Sequence, residues 1–257
     1  MATTPEKPKS NAPLLIIGAV LIAALVGGWY WFSTTKPSAN TASSTPKPGS
    51  TQPKPTGIPS SAPAGATPPN YYGSPTAAVT LEEFADFQCP QCGATHPIMN
   101  EIKAAYGSRI RFIYRHYPLD IPAHDKSYDA SVAAEAAGFQ GKFWDMQNML
   151  FTNQKTWTND PNYKAIWKDY ATKIGLNIDK WETDMAGLPA KVRVDADKAR
   201  AKAAGINSTP TLFINNVEVP FAQLNLNGIK AIVDAELAKA NQGQQAAPAA
   251  NTANANK

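Results

Sequence analysis

Apolar and polar positions divide the chain into an apolar stretch, a polar Pro-rich stretch, a region of regular periodicity and a polar tail. Residues 14–32 read LLIIGAVLIAALVGGWYWF and carry no charge, which is long enough to cross the hydrocarbon core as a helix. The run ends in aromatic residues typical of a membrane interface. We predict an uncleaved transmembrane anchor. A cleaved signal peptide is the alternative, but small residues rather than bulky ones precede a cleavage site.

The flanks of the apolar stretch suggest how it is oriented. Lys7 and Lys9 precede it and Lys36 and Lys47 follow it, so the charge bias that sets orientation is nearly balanced. Because the stretch lies at the start of the chain, we place residues 1–13 in the cytoplasm. We expect the remainder outside the cytoplasm, on the periplasmic or cell-surface side of the cell membrane.

Two segments lack the apolar residues that a core requires. Residues 33–70 are rich in Pro, Ser, Thr and Ala, and residues 242–257 are rich in Ala, Asn and Gln. Such compositions do not fold alone, and the prolines favour a semi-extended spacer. We predict a disordered linker and a disordered tail on either side of a domain at 71–241.

Within the domain, alternating and helical periodicities follow one another. A strand, a helix and a strand are predicted first, then a helical block at about 120–206, then two short strands and a closing helix. These elements are Ala78–Phe87, Pro90–Tyr106, Arg109–Tyr117, Thr211–Ile214, Val217–Val219 and Leu224–Ala240. Asn215 and Asn216 suit a hairpin turn with positive φ. The fold class is therefore α/β with an inserted helical subdomain.

The net charge of +4 does not come from the domain. Five lysines and one glutamate precede Tyr71, which leaves the rest of the chain close to neutral. A nucleic-acid binder concentrates basic residues on its folded part. We therefore predict no nucleic-acid partner.

The chain has only two cysteines, Cys89 and Cys92, and they lie where the first predicted strand passes into the helix. Unpaired N–H groups and the helix dipole at that position favour an anion, which lowers the pKa of a thiol. The spacing places both sulfurs on one side of the first turn, where they can form a reversible disulfide. The pattern therefore predicts thiol–disulfide chemistry.

A zinc site is the alternative, because His96 extends the pair to C-x2-C-x3-H. Structural zinc takes four ligands. The chain has no second cysteine pair, and His116 and His124 lie outside the helix, so we expect no metal. His96 is then a packed or surface residue.

Three motifs together resemble the DsbA-like thioredoxin family, especially its membrane-anchored bacterial members. They are F-x-D-F-x-C-P-x-C at 84–92, YRHYPL at 114–119 and STPT at 208–211. The likeness covers about Val79 to Ala240, including the helical insertion. It implies a thioredoxin fold with an inserted helical subdomain, preceded here by one transmembrane helix and a Pro-rich linker.

The resemblance also implies roles for individual residues. Cys89 is the attacking cysteine and Cys92 the resolving one, and their redox-active disulfide requires no other cofactor. Pro210 is expected to be cis and to face the pair, while Thr209 offers backbone hydrogen bonds to an extended substrate. Glu83, six residues before Cys89, corresponds to a buried acid that exchanges a proton with Cys92.

Several alternatives stay open from the sequence. Asp86 competes with Glu83 for the acid's role, and either carboxylate could simply be solvated. Gln91 stands where the best-known oxidase of the family has His, and Thr209 resembles isomerase-type branches. We predict an oxidase of exported cysteine-containing polypeptides with a quinone-linked membrane partner. An isomerase or reductase, or a non-catalytic metal- or peptide-binding module, is the alternative.

Overall fold

The computed structural model describes residues 57–246, with side chains to residue 242. The predicted cytoplasmic segment 1–13, the anchor 14–32, the linker as far as residue 56 and the tail from residue 247 lie outside the described residues. No helix between residues 57 and 246 is long and apolar enough to cross a membrane.

The described chain is built on a five-stranded mixed sheet in the order β1-β3-β2-β4-β5. Its strands are β1 (Asn70–Gly73), β2 (Val79–Ala85), β3 (Ile110–His116), β4 (Thr211–Ile214) and β5 (Val217–Glu218). The central pair β2–β3 is parallel, whereas β1–β3, β2–β4 and β4–β5 are antiparallel. A parallel pair needs a crossover connection, and α1 (Pro90–Tyr106) provides it.

Alternation along β2 gives each face of the sheet its own core. Leu81 faces Met99 and Ile102 of α1, and α8 (Leu226–Ala246) covers the same face. Phe84 points to the other face and meets Phe213 edge to face. Because both faces are covered, the central strands are almost continuously buried.

Six helices between β3 and β4 form the predicted insertion. They are α2 (Ser127–Gly138), α3 (Phe143–Thr152), α4 (Gln154–Trp157), α5 (Tyr163–Lys173), α6 (Ile178–Ala186) and α7 (Leu188–Ala203). Three buried tryptophans fill their interior, where the small side chains of α2 allow close approach: Trp157, Trp167 and Trp181. The same apolar cluster includes Cys89 and Cys92, so the insertion packs directly against the cysteine turn.

The predicted domain start at residue 71 is wrong, because the structure places residues 57–70 within the fold. We call Gly57–Pro69 the strap. It buries Ile58 and Ala66, and β1 begins at Asn70. Polar contacts hold it as much as apolar ones: the Ala66 N–H donates to Asp197 at 2.8 Å, and Arg115 donates to the Ala66 carbonyl at 3.0 Å.

The hairpin between β4 and β5 has the predicted backbone. Asn215 and Asn216 have φ values of 47° and 64°. Asn216 also accepts a hydrogen bond from the Ile58 N–H at 2.9 Å, which joins the start of the strap to this turn. At the other end of the domain, α8 continues to Ala246, so the predicted boundary at residue 241 falls inside a helix.

Candidate functional site

The cysteine pair lies at the N-terminus of α1, directly after the turn that leaves β2. Cys89 has an extended backbone (φ −65°, ψ 119°) and is the N-cap residue, with Pro90 in the first turn. Cys92 follows within that turn. Both are free thiols, and Cys89 keeps 7% of its surface exposed against 1% for Cys92.

The surroundings of Cys89 favour its thiolate. A hydrogen bond from the Cys92 thiol is the largest favourable influence, followed by Thr209 and by the backbone N–H groups of Cys92 and Gln91. Together they outweigh burial and lower the pKa of Cys89 from 9.0 to about 5. At neutral pH the reduced Cys89 is therefore an anion.

Cys92 is driven the other way. Burial raises the pKa of its thiol well above the ordinary value, and the negative charges of Cys89 and Glu83 add to that effect. The pair is therefore asymmetric, with a thiolate at the helix start and a neutral thiol beneath it.

Thr209 lies beside Cys89, and Pro210 follows Thr209 directly before β4. The Thr209–Pro210 peptide bond is cis, and Cys89 Sγ lies 3.3 Å from the Thr209 carbonyl oxygen. The next residue, Thr211, begins β4 beside Phe84 of β2. The structure thus brings together two segments that are 120 residues apart in sequence.

Glu83 is a buried acid, so the solvated alternative is wrong for this residue. It is paired in register with Tyr114 of β3, retains 3% exposure, and burial raises its pKa to about 7. The counteracting charge is Lys103 of α1, whose own pKa burial lowers to about 8. The Lys103 ammonium lies 4.6 Å from the Trp144 ring centre.

Asp86 is also buried, but its carboxylate is fully engaged. One oxygen accepts from the Gln88 N–H at 2.7 Å and from the Ser127 hydroxyl. The other accepts from the Leu119 N–H at 2.8 Å and from His124 Nδ1 at 2.7 Å. With four acceptor positions used, Asp86 fastens the cysteine turn to the insertion, and Glu83 is the better placed acid.

Gln154 is a site residue that the sequence did not indicate. Its amide Nε2 lies 2.8 Å from the Phe87 carbonyl and 2.9 Å from the Cys89 carbonyl. It is 65 residues away from Cys89, in the four-residue helix α4. No local pattern in the sequence indicates such a contact.

The histidine considered as a zinc ligand in the sequence makes other contacts in the structure. His96 is buried, its Nε2 lies 3.0 Å from Asn148 Oδ1, and its ring stacks on Phe151. A second group, His116, Glu135 and Asp197, has its potential ligand atoms within 4.8 Å of one another. Its carboxylates already accept hydrogen bonds from Arg115, Arg193 and other donors, so it forms a buried ion-pair network.

Comparison with known proteins points to one family for most of the domain. The family model described as Thioredoxin matches residues 66–235. Among solved structures, BdbD from Bacillus subtilis superposes with a TM-score of 0.58 at 21% identity, covering 68% of this chain and 98% of that one. The α-DsbA1 protein of Wolbachia pipientis gives 0.61 at 21% identity, covering 69% and 95%. At this identity the likeness concerns the fold.

Curated relatives include proteins named for another activity. The Na(+)/H(+) antiporter NhaA 1 of Mycolicibacterium gilvum is 38% identical over 145 residues, which is 56% of this chain and 22% of the antiporter. The chain therefore spans about a fifth of the length of that relative. The antiporter activity in the name is that of the longer protein.

Proposed function

The chain belongs to the thioredoxin family and has the DsbA-like fold, and from this premise we propose that it introduces disulfides into exported polypeptides. The observation that carries the proposal is the asymmetric cysteine pair. A thiolate that is stabilised in the reduced enzyme makes the disulfide form oxidising. The pKa of about 5 at Cys89 provides that stabilisation.

The reaction consists of two exchanges. A substrate thiolate attacks Cys89 of the Cys89–Cys92 disulfide, forms a substrate–Cys89 disulfide and expels Cys92 as a thiolate, which takes up a proton. A second substrate thiolate then attacks the substrate sulfur of the mixed disulfide and expels Cys89 as a thiolate. The substrate loses two electrons and gains a disulfide, and the enzyme pair is left reduced.

Glu83 is proposed to supply the proton that Cys92 needs in the first exchange. Its charge influences Cys92, and its pKa of about 7 allows it both to give and to take a proton at neutral pH. Asp86 holds the turn in place meanwhile. The two buried acids thus divide proton exchange and positioning between them.

Thr209 is proposed to align the substrate. Its carbonyl oxygen lies 3.3 Å from Cys89 Sγ. Neither the Cys89 thiolate nor the Cys89 sulfur of a mixed disulfide has an S–H to donate, so that carbonyl is available to a backbone N–H of the bound polypeptide. An extended segment can then run beside Pro210.

The cellular setting remains part of the proposal. The apolar run at 14–32 supports a cell-membrane anchor with the domain outside the cytoplasm. Each turnover leaves two electrons on the enzyme, so an acceptor is required. We propose a quinone-linked membrane partner, which an anchored enzyme would meet in the plane of the membrane.

Whether the protein oxidises or reduces its substrates is tested by the reduction potential of the pair, measured against glutathione in the full-length chain. An oxidase should lie between about −120 and −180 mV, whereas a potential near about −270 mV would make the protein a reductase. An in-vivo alkylation trap gives an independent reading, because an oxidase keeps the pair mainly oxidised.

Chemistry through the pair is tested by trapping. Cys92→Ser should accumulate mixed disulfides between Cys89 and exported polypeptides, because the internal thiol that reverses them is gone. Cys89→Ser is the matched control and should accumulate none. Unchanged function in Cys92→Ser together with stoichiometric bound metal would favour the non-catalytic binding module instead.

A further inference from the structure

Gln154 joins the insertion to the cysteine turn, where its amide reaches the backbone on both sides of Gln88. Its Nε2 group donates to the carbonyls of Phe87 and Cys89 at 2.8 and 2.9 Å. The Cys89 carbonyl also accepts the Gly93 N–H at 3.1 Å, which starts α1. The amide therefore completes the hydrogen bonding of the carbonyl that belongs to the reactive cysteine itself.

Gly93 shows how closely the amide lies on the helix. A Cβ added at Gly93 would come within 2.5 Å of Gln154 Oε1, so a larger residue there would displace the end of that side chain. Gln154 also begins α4 directly after Asn153, which fixes its backbone. The amide thus lies between the start of α4 and the first turn of α1, within hydrogen-bond distance of the cysteine turn.

We propose that Gln154 is a positioning residue for the redox pair: its amide holds the Phe87 and Cys89 carbonyls and offsets their partial negative charge beside the reactive sulfur. The proposal rests on the proposed function, because it concerns the same pair. Carbonyl dipoles near a thiolate disfavour it, and N–H donors to those carbonyls reduce that effect in a poorly solvated site.

The decisive variant is Gln154→Glu, which keeps the size of the side chain, removes the amide donors and adds a negative charge. In the full-length reduced chain, the pH dependence of the alkylation rate should show the Cys89 pKa raised by about one unit. That corresponds to about a tenfold loss of thiolate at pH values well below the wild-type pKa. It should also make the reduction potential about 30 mV more reducing.

Two further variants separate positioning from simple destabilisation. Gln154→Met keeps the shape without charge and should raise the Cys89 pKa in the same direction by a smaller amount. Gln140→Glu is the matched control, because Gln140 makes a similar amide bridge to Asn177 wholly within the insertion, at 3.1 and 2.9 Å. It should leave both the pKa and the potential of the pair unchanged.

The proposal is overturned if both Gln154 variants fold, lose thermal stability and yet keep the wild-type Cys89 pKa and potential. If Gln154→Glu does not fold, Gln154→Met decides alone by the same readouts. Alkylation needs no polypeptide substrate. A shifted pKa in a protein that oxidises nothing would therefore support the role of Gln154 and count against the proposed function.

Discussion

At the scale of single residues, the two cysteines differ in what surrounds each sulfur. Cys89 receives hydrogen bonds from Cys92 and from the first turn of α1, which lower its pKa. Cys92 is buried, and this burial raises its pKa. The charge of one sulfur is therefore maintained partly by the other. This dependence can be separated from the helix contribution by substitution.

Cys92→Ala should raise the pKa of Cys89 by at least about one unit, because it removes the largest stabilising hydrogen bond. Cys92→Ser keeps an O–H donor and should raise it less. The pH dependence of alkylation measures both, since Cys89 is then the only thiol in the chain. A wild-type pKa of Cys89 in both variants would show that the hydrogen bond from residue 92 does not contribute to the acidity.

Glu82 and Glu83 are adjacent on β2 but face opposite sides of the sheet, and we predict opposite effects on stability. Burial raises the pKa of Glu83, so its ionised form destabilises the folded state. This destabilisation is absent below about pH 4.5 and grows as pH rises to about 7. Glu83→Gln should therefore increase the free energy of unfolding at pH 7 by on the order of 1–3 kcal/mol, with no gain near pH 4.

Glu82→Gln provides the contrast. Glu82 pairs with Arg115 at 2.6 Å and with Arg200 at 2.8 Å, and its pKa is lowered. The stabilisation of the folded state by ionised Glu82 is present above pH 4.5 and is lost as pH falls below that value. This variant should be less stable than wild type at pH 7, and the difference should shrink in acid. Urea denaturation across pH measures both variants. A change in the free energy of unfolding with the same sign in both would refute the assignment of the two faces.

The sequence allowed Cys89, Cys92, Thr209, Pro210 and Glu83 to be proposed as site residues, because short motifs mark them. Their catalytic roles stay predictions. Lys103 and Gln154 could not be found that way. A lysine in a helix looks solvated unless the rings of Trp144 and its neighbours are known to cover it, and the contact of Gln154 depends on how the insertion folds back.

At the scale of elements, periodicity predicted the central strands and α1 within two residues, since both bury regular faces. The strap was missed for a physical reason. Its composition resembles a linker, and its isolated apolar residues form no pattern. It is held instead by backbone groups that bond to distant charged side chains such as Asp197 and Arg200.

The strap should be essential for stability while the preceding residues are not. Deleting residues 1–56 should leave the free energy of unfolding of the domain unchanged. Deleting residues 1–69 should lower it by on the order of 3–5 kcal/mol, because Ile58 is lost from its site and Arg115 and Asp197 lose buried partners. Urea unfolding with an unchanged slope provides the test, and equal stabilities would return the domain boundary to residue 71.

At the scale of the whole molecule, one apolar cluster serves both the sheet and the insertion. Phe87 contacts Phe151 at 4.6 Å between ring centres, and Cys92 belongs to the same cluster as Trp157. The redox pair is therefore embedded where the two parts meet. The oxidation state of the pair should therefore change the free energy of unfolding of the entire domain.

The reduced domain should be more stable than the oxidised one at pH 7. The lowered pKa of Cys89 stabilises the folded dithiol form fully above the ordinary thiol pKa, and this contribution is lost as pH falls through about 5. The difference between the urea midpoints of the two forms should therefore narrow from pH 7 to pH 4. A difference that stays constant over this range would contradict the thiolate.

The attachment of the strap has a mechanical consequence. Ile58 is bonded to Asn216, and the neighbouring Asn215 pairs with Thr80 at the beginning of β2. From Thr80 the strand runs about 17 Å to Ala85 before the chain reaches Cys89. Tension applied through the chain before residue 57 would enter at this hairpin and spread into the hydrogen bonds between the strands. It would therefore be borne at a distance from Cys89.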